Sequence, residues 1–262
     1  MNIDLTGKNA IVCGATKGIG NATAKLLASL GANVTMVSRN ESLLSRIIRD
    51  LDTEKGQVHD YIAADFSKPD DLREKMQQKV NEPKVYHILV NNTGGPPAGL
   101  AIDAELHEYT AAFTNHLLCN QVMVQAVVDG MRASGYGRIV NVISTSVKAP
   151  LKGLGVSNTI RAAVGNWAKT LSFELAPFGI TVNNVLPGAT ATDRLTQIIE
   201  SKASKQHHSI EEVAKEMTDE IPMGRFAKPD EIAYAIAFLT SPYAAYITGI
   251  NVPVDGGRTP NL

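Results

Sequence analysis

Three glycines, in Gly14-Ala15-Thr16-Lys17-Gly18-Ile19-Gly20, follow an apolar run, Asn9–Cys13, and open a helical pattern. Glycines at a strand-to-helix turn let the backbone approach a ligand closely. The free N–H groups and the positive end of the helix dipole then favour phosphate. Because the spacing lies in that strand–turn–helix context, it points to a dinucleotide. The end of the next strand bears on which one. An acidic residue there would accept from a ribose 2′-hydroxyl and select NAD(H), but Val37-Ser38-Arg39-Asn40 contains none. Arg39 can stack beside adenine or pair with a 2′-phosphate, and Lys17 adds a second positive charge. The sequence thus predicts NADP(H) in preference to NAD(H), the plain alternative being that Arg39 is an ordinary surface arginine.

Such a turn needs a scaffold to position it. Strand-length apolar runs are predicted at Asn9–Cys13, Asn33–Ser38, Val58–Ala63, Tyr86–Asn91, Arg138–Ile143, Ile180–Leu186 and Gly249–Val254. Helical patterns fall between them at Gly18–Leu30, around Ser42–Leu51, after Pro69, and at Glu105–Ser134, Gly155–Ala176 and Pro229–Leu239. The strands are rich in Val, Ile and Leu with little alternation, as when helices cover both faces. The expected fold is therefore α/β: one Rossmann-type, doubly wound, parallel seven-stranded sheet with helices on both faces, residues 1–262 forming a single domain. The polar stretch Ala189–Phe226 breaks this rhythm. Open α/β sheets bind ligands beyond the carboxyl ends of their strands, so the insertion reads either as a substrate lid or as a mobile surface helix pair.

Composition narrows the function. An apolar fraction of 44% and a charged fraction of 19% exclude a disordered chain. A net charge of −1 offers no basic field for a nucleic-acid partner. No uncharged apolar run has the roughly 18 residues of a membrane span, and no signal peptide is visible. Cys13 and Cys119 read as buried thiols of a reducing compartment, so a cytoplasmic location is expected, and no metal site is.

Further short motifs accompany the glycine turn. Asp65-Phe66 follows the third strand and Asn91-Asn92-Thr93-Gly94 ends the fourth; Asn115 lies mid-helix and Ser144 follows Ile139–Ile143. Pro187-Gly188 follows the sixth strand, and Asp255-Gly256-Gly257 lies near the end. Together these resemble the short-chain dehydrogenase/reductase family, and in particular its 3-oxoacyl-acyl-carrier-protein reductase-like members, over nearly the whole chain. The resemblance implies hydride transfer between NADP(H) and a small carbonyl or alcohol substrate. It extends the cofactor contacts from the glycine turn to Ser38, Arg39, Asp65, Phe66, Asn92, Thr93, Gly94, Arg161, Pro187, Gly188 and Thr190. It also implies a homodimer or homotetramer. Apolar residues on the two long helices (Leu117, Leu118, Val122, Met123, Val127 and Val128; Val164, Trp167, Leu171 and Phe173) are candidates for that contact.

The active site departs from the pattern. Ser144 and Asn115 match the family's catalytic serine and asparagine. Its tyrosine, thirteen residues after the serine, and its lysine, four further on, fall at Ser157 and Arg161. No tyrosine lies between Tyr136 and Tyr234, so no small register shift restores the motif. A serine hydroxyl is a far weaker acid than a phenol, and a positioned general acid supplies about 10²- to 10⁴-fold in rate. Possible substitutes are Lys148 or Lys152 in the following loop, His116, His207 or His208 in the insertion, or a water relay anchored by Asn115. Arg161 one turn from Ser157 should face the same way, where it can hold ribose hydroxyls or, as a guanidinium, recognise an anionic substrate. The competing functions are an NADP(H)-binding sensor or assembly subunit with little turnover and, last, non-redox chemistry in the same cleft.

Overall fold

A computed structural model describes residues 2–81 and 84–260. Its strands are β1 (Asn9–Cys13), β2 (Asn33–Ser38), β3 (Asp60–Ala63), β4 (Ile88–Asn91), β5 (Gly137–Val142), β6 (Ile180–Pro187) and β7 (Asn251–Val254). All pair in parallel, in the order β3-β2-β1-β4-β5-β6-β7. The order reverses between β1 and β4, so the chain leaves these neighbours in opposite directions and a crevice opens beyond their carboxyl ends.

The helices are α1 (Gly18–Ser29), α2 (Glu41–Ile47), α3 (Pro69–Val80), α4 (Leu106–Phe113), α5 (Cys119–Ser134), α6 (Gly155–Leu175), α7 (Asp193–Gln206), α8 (Ile210–Asp219) and α9 (Pro229–Thr240). They cover both faces of the sheet. Val12 and Val90 pack with Leu27 of α1 and Ile236 of α9, whereas Ile11 and Leu89 pack with Met76 of α3, Met123 of α5 and Ala168 of α6. Successive strand residues enter opposite cores, which is why the strands read as unbroken apolar runs. At β3 the apolar run is longer than the strand: Val58 is 71% exposed and its N–H donates to Asn33 Oδ1, not to a neighbouring strand.

The expected helix over Glu105–Ser134 is interrupted. Between α4 and α5, Thr114–Leu118 forms a π-helical turn with no proline or glycine in it to announce the break. Such turns widen the hydrogen-bond ring by one residue and frequently mark functional positions. Of the apolar residues assigned to subunit pairing, Val122, Met123, Val127 and Val164 are buried within the protomer, while Leu118 and Phe173 remain exposed.

Four asparagines, Asn91, Asn141, Asn184 and Asn251, stand in register across β4, β5, β6 and β7. Their side chains form a relay: each Nδ2 donates to the next Oδ1, at 2.9, 2.9 and 2.8 Å. The insertion forms α7 and α8, which share a small apolar contact of their own through Leu195, Ile199, Ala203, Val213 and Met217. Its two ends are pinned together by Ala191 N–H donating to Ala227 O and Ala227 N–H donating to Ala189 O. Among the described residues, no helix is long and apolar enough to cross a membrane.

Candidate active site

The glycine turn leaves β1 at Gly14, whose φ is +59°. A Cβ there would lie 2.6 Å from Asn92 O, so a side chain cannot be fitted. Asn92 braces the turn, its Nδ2 donating to Cys13 O at 3.2 Å. α1 then begins with no side-chain cap at Lys17 and no acidic residue in its first turn. Among the described residues no side chain caps its leading N–H groups and no acid of its own first turn offsets its dipole, which suits an anion. Thr16 and Ser38 join their hydroxyls at 3.1 Å and tie the turn to the end of β2. Arg39 is exposed there and lines a cleft with Ala64, Asp65 and Lys68.

Asp65 accepts from Ser67 N–H at 2.9 Å, and this bond, helped by the charges of Arg39 and Lys68, holds its carboxyl below the ordinary carboxylate range. Phe66 buries its ring in the core, and its carbonyl accepts from Cys119 Sγ at 2.9 Å. Any contact of Phe66 with a nucleotide would therefore come from its main chain. The tight turn, the open helix end and the exposed charges together fit a dinucleotide.

At the end of β5, Ser144 Oγ accepts from Ser146 N–H at 3.1 Å, leaving its own proton for donation. Asn115 lies in the π turn, with its Oδ1 buried and without a partner. The next residue, His116, is buried, and its Nδ1 meets Thr93 Oγ1 at 2.6 Å. Burial, reinforced by the charge of Arg161, pushes the imidazole down to about 2, so it is neutral at physiological pH. Ser157 and Arg161, one turn apart on α6, are both buried. Arg161 Nη1 donates to Val142 O at 3.0 Å, while Nε has no partner. Burial, then the nearby charge of Arg194, lowers this guanidinium to about 10.

The insertion reaches the cleft through its first turn. Lys17 Nζ pairs with Asp193 at 2.8 Å, and Arg194 Nη2 donates to Pro96 O at 2.7 Å. Arg194 was not among the residues expected from the sequence. Its one signal is physical: a cation in the first turn of a helix opposes the helix dipole, so something else must favour it there. The insertion's histidines do not approach this end. They lie beyond the C-terminus of α7, a 14-residue helix about 21 Å long, and His208 pairs with Glu216. Lys152 is exposed. At the root of the insertion, the buried Thr190 hydroxyl donates to Gly188 O at 3.0 Å, and Gly188 N–H donates to Val254 O. Gly94 is exposed and Pro187 half-buried at the strand ends.

A family model described as enoyl-(acyl carrier protein) reductase matches residues 14–259. The chain belongs to the short-chain dehydrogenase/reductase family. Its homologues and structural neighbours in that family are oxidoreductases acting on alcohol or carbonyl substrates with NAD(P). It is 29% identical over 259 residues to the NADPH-dependent reductase BacG of Bacillus subtilis, covering 98% of this chain and all of that one (100%). To the 3-oxoacyl-(acyl-carrier-protein) reductase FabG of Vibrio cholerae it is 34% identical over 258 residues, covering 97% of this chain and 98% of that one. The structure of L-sorbose reductase from Gluconobacter frateurii, complexed with NADPH and L-sorbose, superimposes with a TM-score of 0.93 at 28% identity over 100% of both chains. Among the described residues of this short-chain dehydrogenase/reductase, no group of His, Cys, Asp or Glu is placed to hold a metal ion.

Proposed function

We propose that the protein is an NADP(H)-dependent oxidoreductase of carbonyl or alcohol substrates whose acid–base site is remodelled at Ser157 and Arg161. The observation that carries the cofactor preference is Arg39 at the end of β2, the position where an NAD-selecting acid would stand; its cleft holds Lys68 and Lys75 together with the carboxylates of Glu41, Asp65 and Asp71. Relatives named for NADPH support it. A reduced nicotinamide, when bound, supplies a hydride with its electron pair to the carbonyl carbon. This chain must orient the substrate and bring one proton to the oxygen, giving the alcohol. Ser144 donates its free hydroxyl proton as a hydrogen bond to that oxygen and polarises the carbonyl. Arg161, held by Val142 O, keeps its remaining donors for a bound ligand. With serine at position 157, proton delivery is slower than from a phenol by the general-acid factor, about 10²- to 10⁴-fold.

Residues 189–226 act in this reading as a lid latched by Lys17–Asp193 and Arg194–Pro96, and pairing of subunits uses Leu118 and Phe173. Calorimetric titration with NADPH and NADH, followed by NADPH consumption over ketones and oxoacyl thioesters, tests the proposal. Tighter binding of NADH refutes the cofactor assignment. The loss of the phenol favours one second reading, an NADP(H)-binding sensor or assembly subunit. Tight NADPH binding with no turnover across the panel decides for that.

A further inference from the structure

Arg161 is only 7% exposed, yet among the described residues its Nε has no partner and its one side-chain hydrogen bond is to a neutral carbonyl. Among the described residues, no carboxylate pairs with it. Buried cations are ordinarily paired, because desolvation without a counter-charge is costly. The surroundings add positive charge instead. Arg194 reaches in from the first turn of α7 to bond Pro96 O, and Arg161 Nη2 lies 3.8 Å from where a Cβ on the adjacent Gly95 would stand. The one acid beside Arg194 in sequence, Asp193, is taken by Lys17. His116, bonded to Thr93, is neutral. Two guanidinium groups thus flank the Gly95-Pro96 segment with, among the described residues, no carboxylate paired to either. Ribose hydroxyls would use donors of Arg161 but leave its charge uncompensated.

We propose that Arg161 and Arg194 form a clamp for a substrate carboxylate, so that the class reduced is an oxo acid and not a neutral ketone. The clamp deepens the oxidoreductase reading and rests on it for the redox step. Its geometry has a source for each part: β5 fixes Arg161 through Val142 O, two residues before Ser144, while the insertion contributes Arg194. Carboxylate in a guanidinium fork gains two parallel charge-assisted bonds, which an ester cannot supply. Lid closure and substrate recognition are then one event, since the second arginine arrives on the lid.

The test is calorimetric titration of the whole protein with oxamate, a non-reducible oxo-acid analogue, and with its neutral ethyl ester, each with and without saturating NADPH. Oxamate binding at least about 10-fold tighter than the ester is the expected result. That preference shrinks to within about 2-fold in Arg194→Gln, an exposed position whose substitution leaves the core intact. Arg161→Lys keeps the charge without the fork and retains part of it. Equal binding of oxamate and ester by the natural protein overturns the clamp, as does a preference that survives Arg194→Gln, or tighter binding of inorganic phosphate than of oxamate. A natural protein that binds oxamate selectively but gives no heat with NADPH refutes the cofactor assignment and leaves the carboxylate site standing.

Discussion

Replacing Arg39 by alanine isolates the contact that assigns the cofactor. Arg39 is exposed at the end of β2 and shares its cleft with Lys68 and Asp65. Hydrogen bonds to a charged group contribute about 1.5–3 kcal/mol, or about 10- to 150-fold in affinity. Exposure places the effect at the lower end, since solvent screens surface pairs. Lys68 and Lys75 also remain in the cleft, beside the carboxylates of Glu41, Asp65 and Asp71. The expected outcome is therefore an NADPH dissociation constant raised about 10-fold, with NADH affinity changed by less than about 2-fold because NADH lacks the 2′-phosphate. Calorimetry or cofactor fluorescence gives both constants, and repeating the titration at higher ionic strength should shrink the difference between natural protein and variant. An NADPH-to-NADH affinity ratio that moves by less than about 3-fold would refute the assignment of Arg39 to the phosphate.

Other outcomes follow from the same geometry. The double substitution Ser157→Tyr/Arg161→Lys restores a phenol beside an ammonium and should raise the turnover of neutral ketones by about 10²-fold or more; unchanged turnover in a folded, NADPH-binding variant shows that another group already delivers the proton. His116 titrates near 6.5 when unfolded but at about 2 in the fold, so its contribution to stability is complete above pH 6.5 and is lost as pH falls toward 2. Below pH 6.5 the natural protein should therefore lose up to about 1.4 kcal/mol per pH unit more than His116→Gln; parallel urea midpoints from pH 7 to 5 would contradict this. Asn141→Ala strands Asn91 Nδ2 and Asn184 Oδ1 in the interior. At about 1–3 kcal/mol for each orphaned group, the loss is about 2–6 kcal/mol, and a urea-derived loss under about 1 kcal/mol would mean that the amides re-pair or reach water.

Strands were the most legible part of the chain. β1 and β2 begin and end where their apolar runs do, because a strand buried on both faces shows as an uninterrupted hydrophobic stretch. Val58 was misassigned because an apolar residue in a loop carries the same local signal as one in a strand. The π turn at Thr114–Leu118 was not legible, since no residue type there marks it; only tertiary packing reveals that it carries Asn115 and His116. The glycine turn could be read locally because its chemistry is local. Arg194 could not, because the group it bonds lies 98 residues away. Arg161 was recognised as unusual by position, but its missing counter-ion is a property of three segments brought together.

The asparagine relay has a consequence for how the cleft behaves. Asn91 immediately precedes Asn92 and Thr93, Asn141 stands three residues before Ser144, and Asn184 four before Gly188. A slip of any one strand by a single residue would face a polar amide into hydrocarbon. The part of the sheet from β4 to β7 is thereby cross-braced, and the relay fixes the spacing of these four strand tips. In the proposed reading of residues 189–226 as a lid, movement belongs to that segment, pinned at Ala189 and Ala227, and not to the braced strands beneath it.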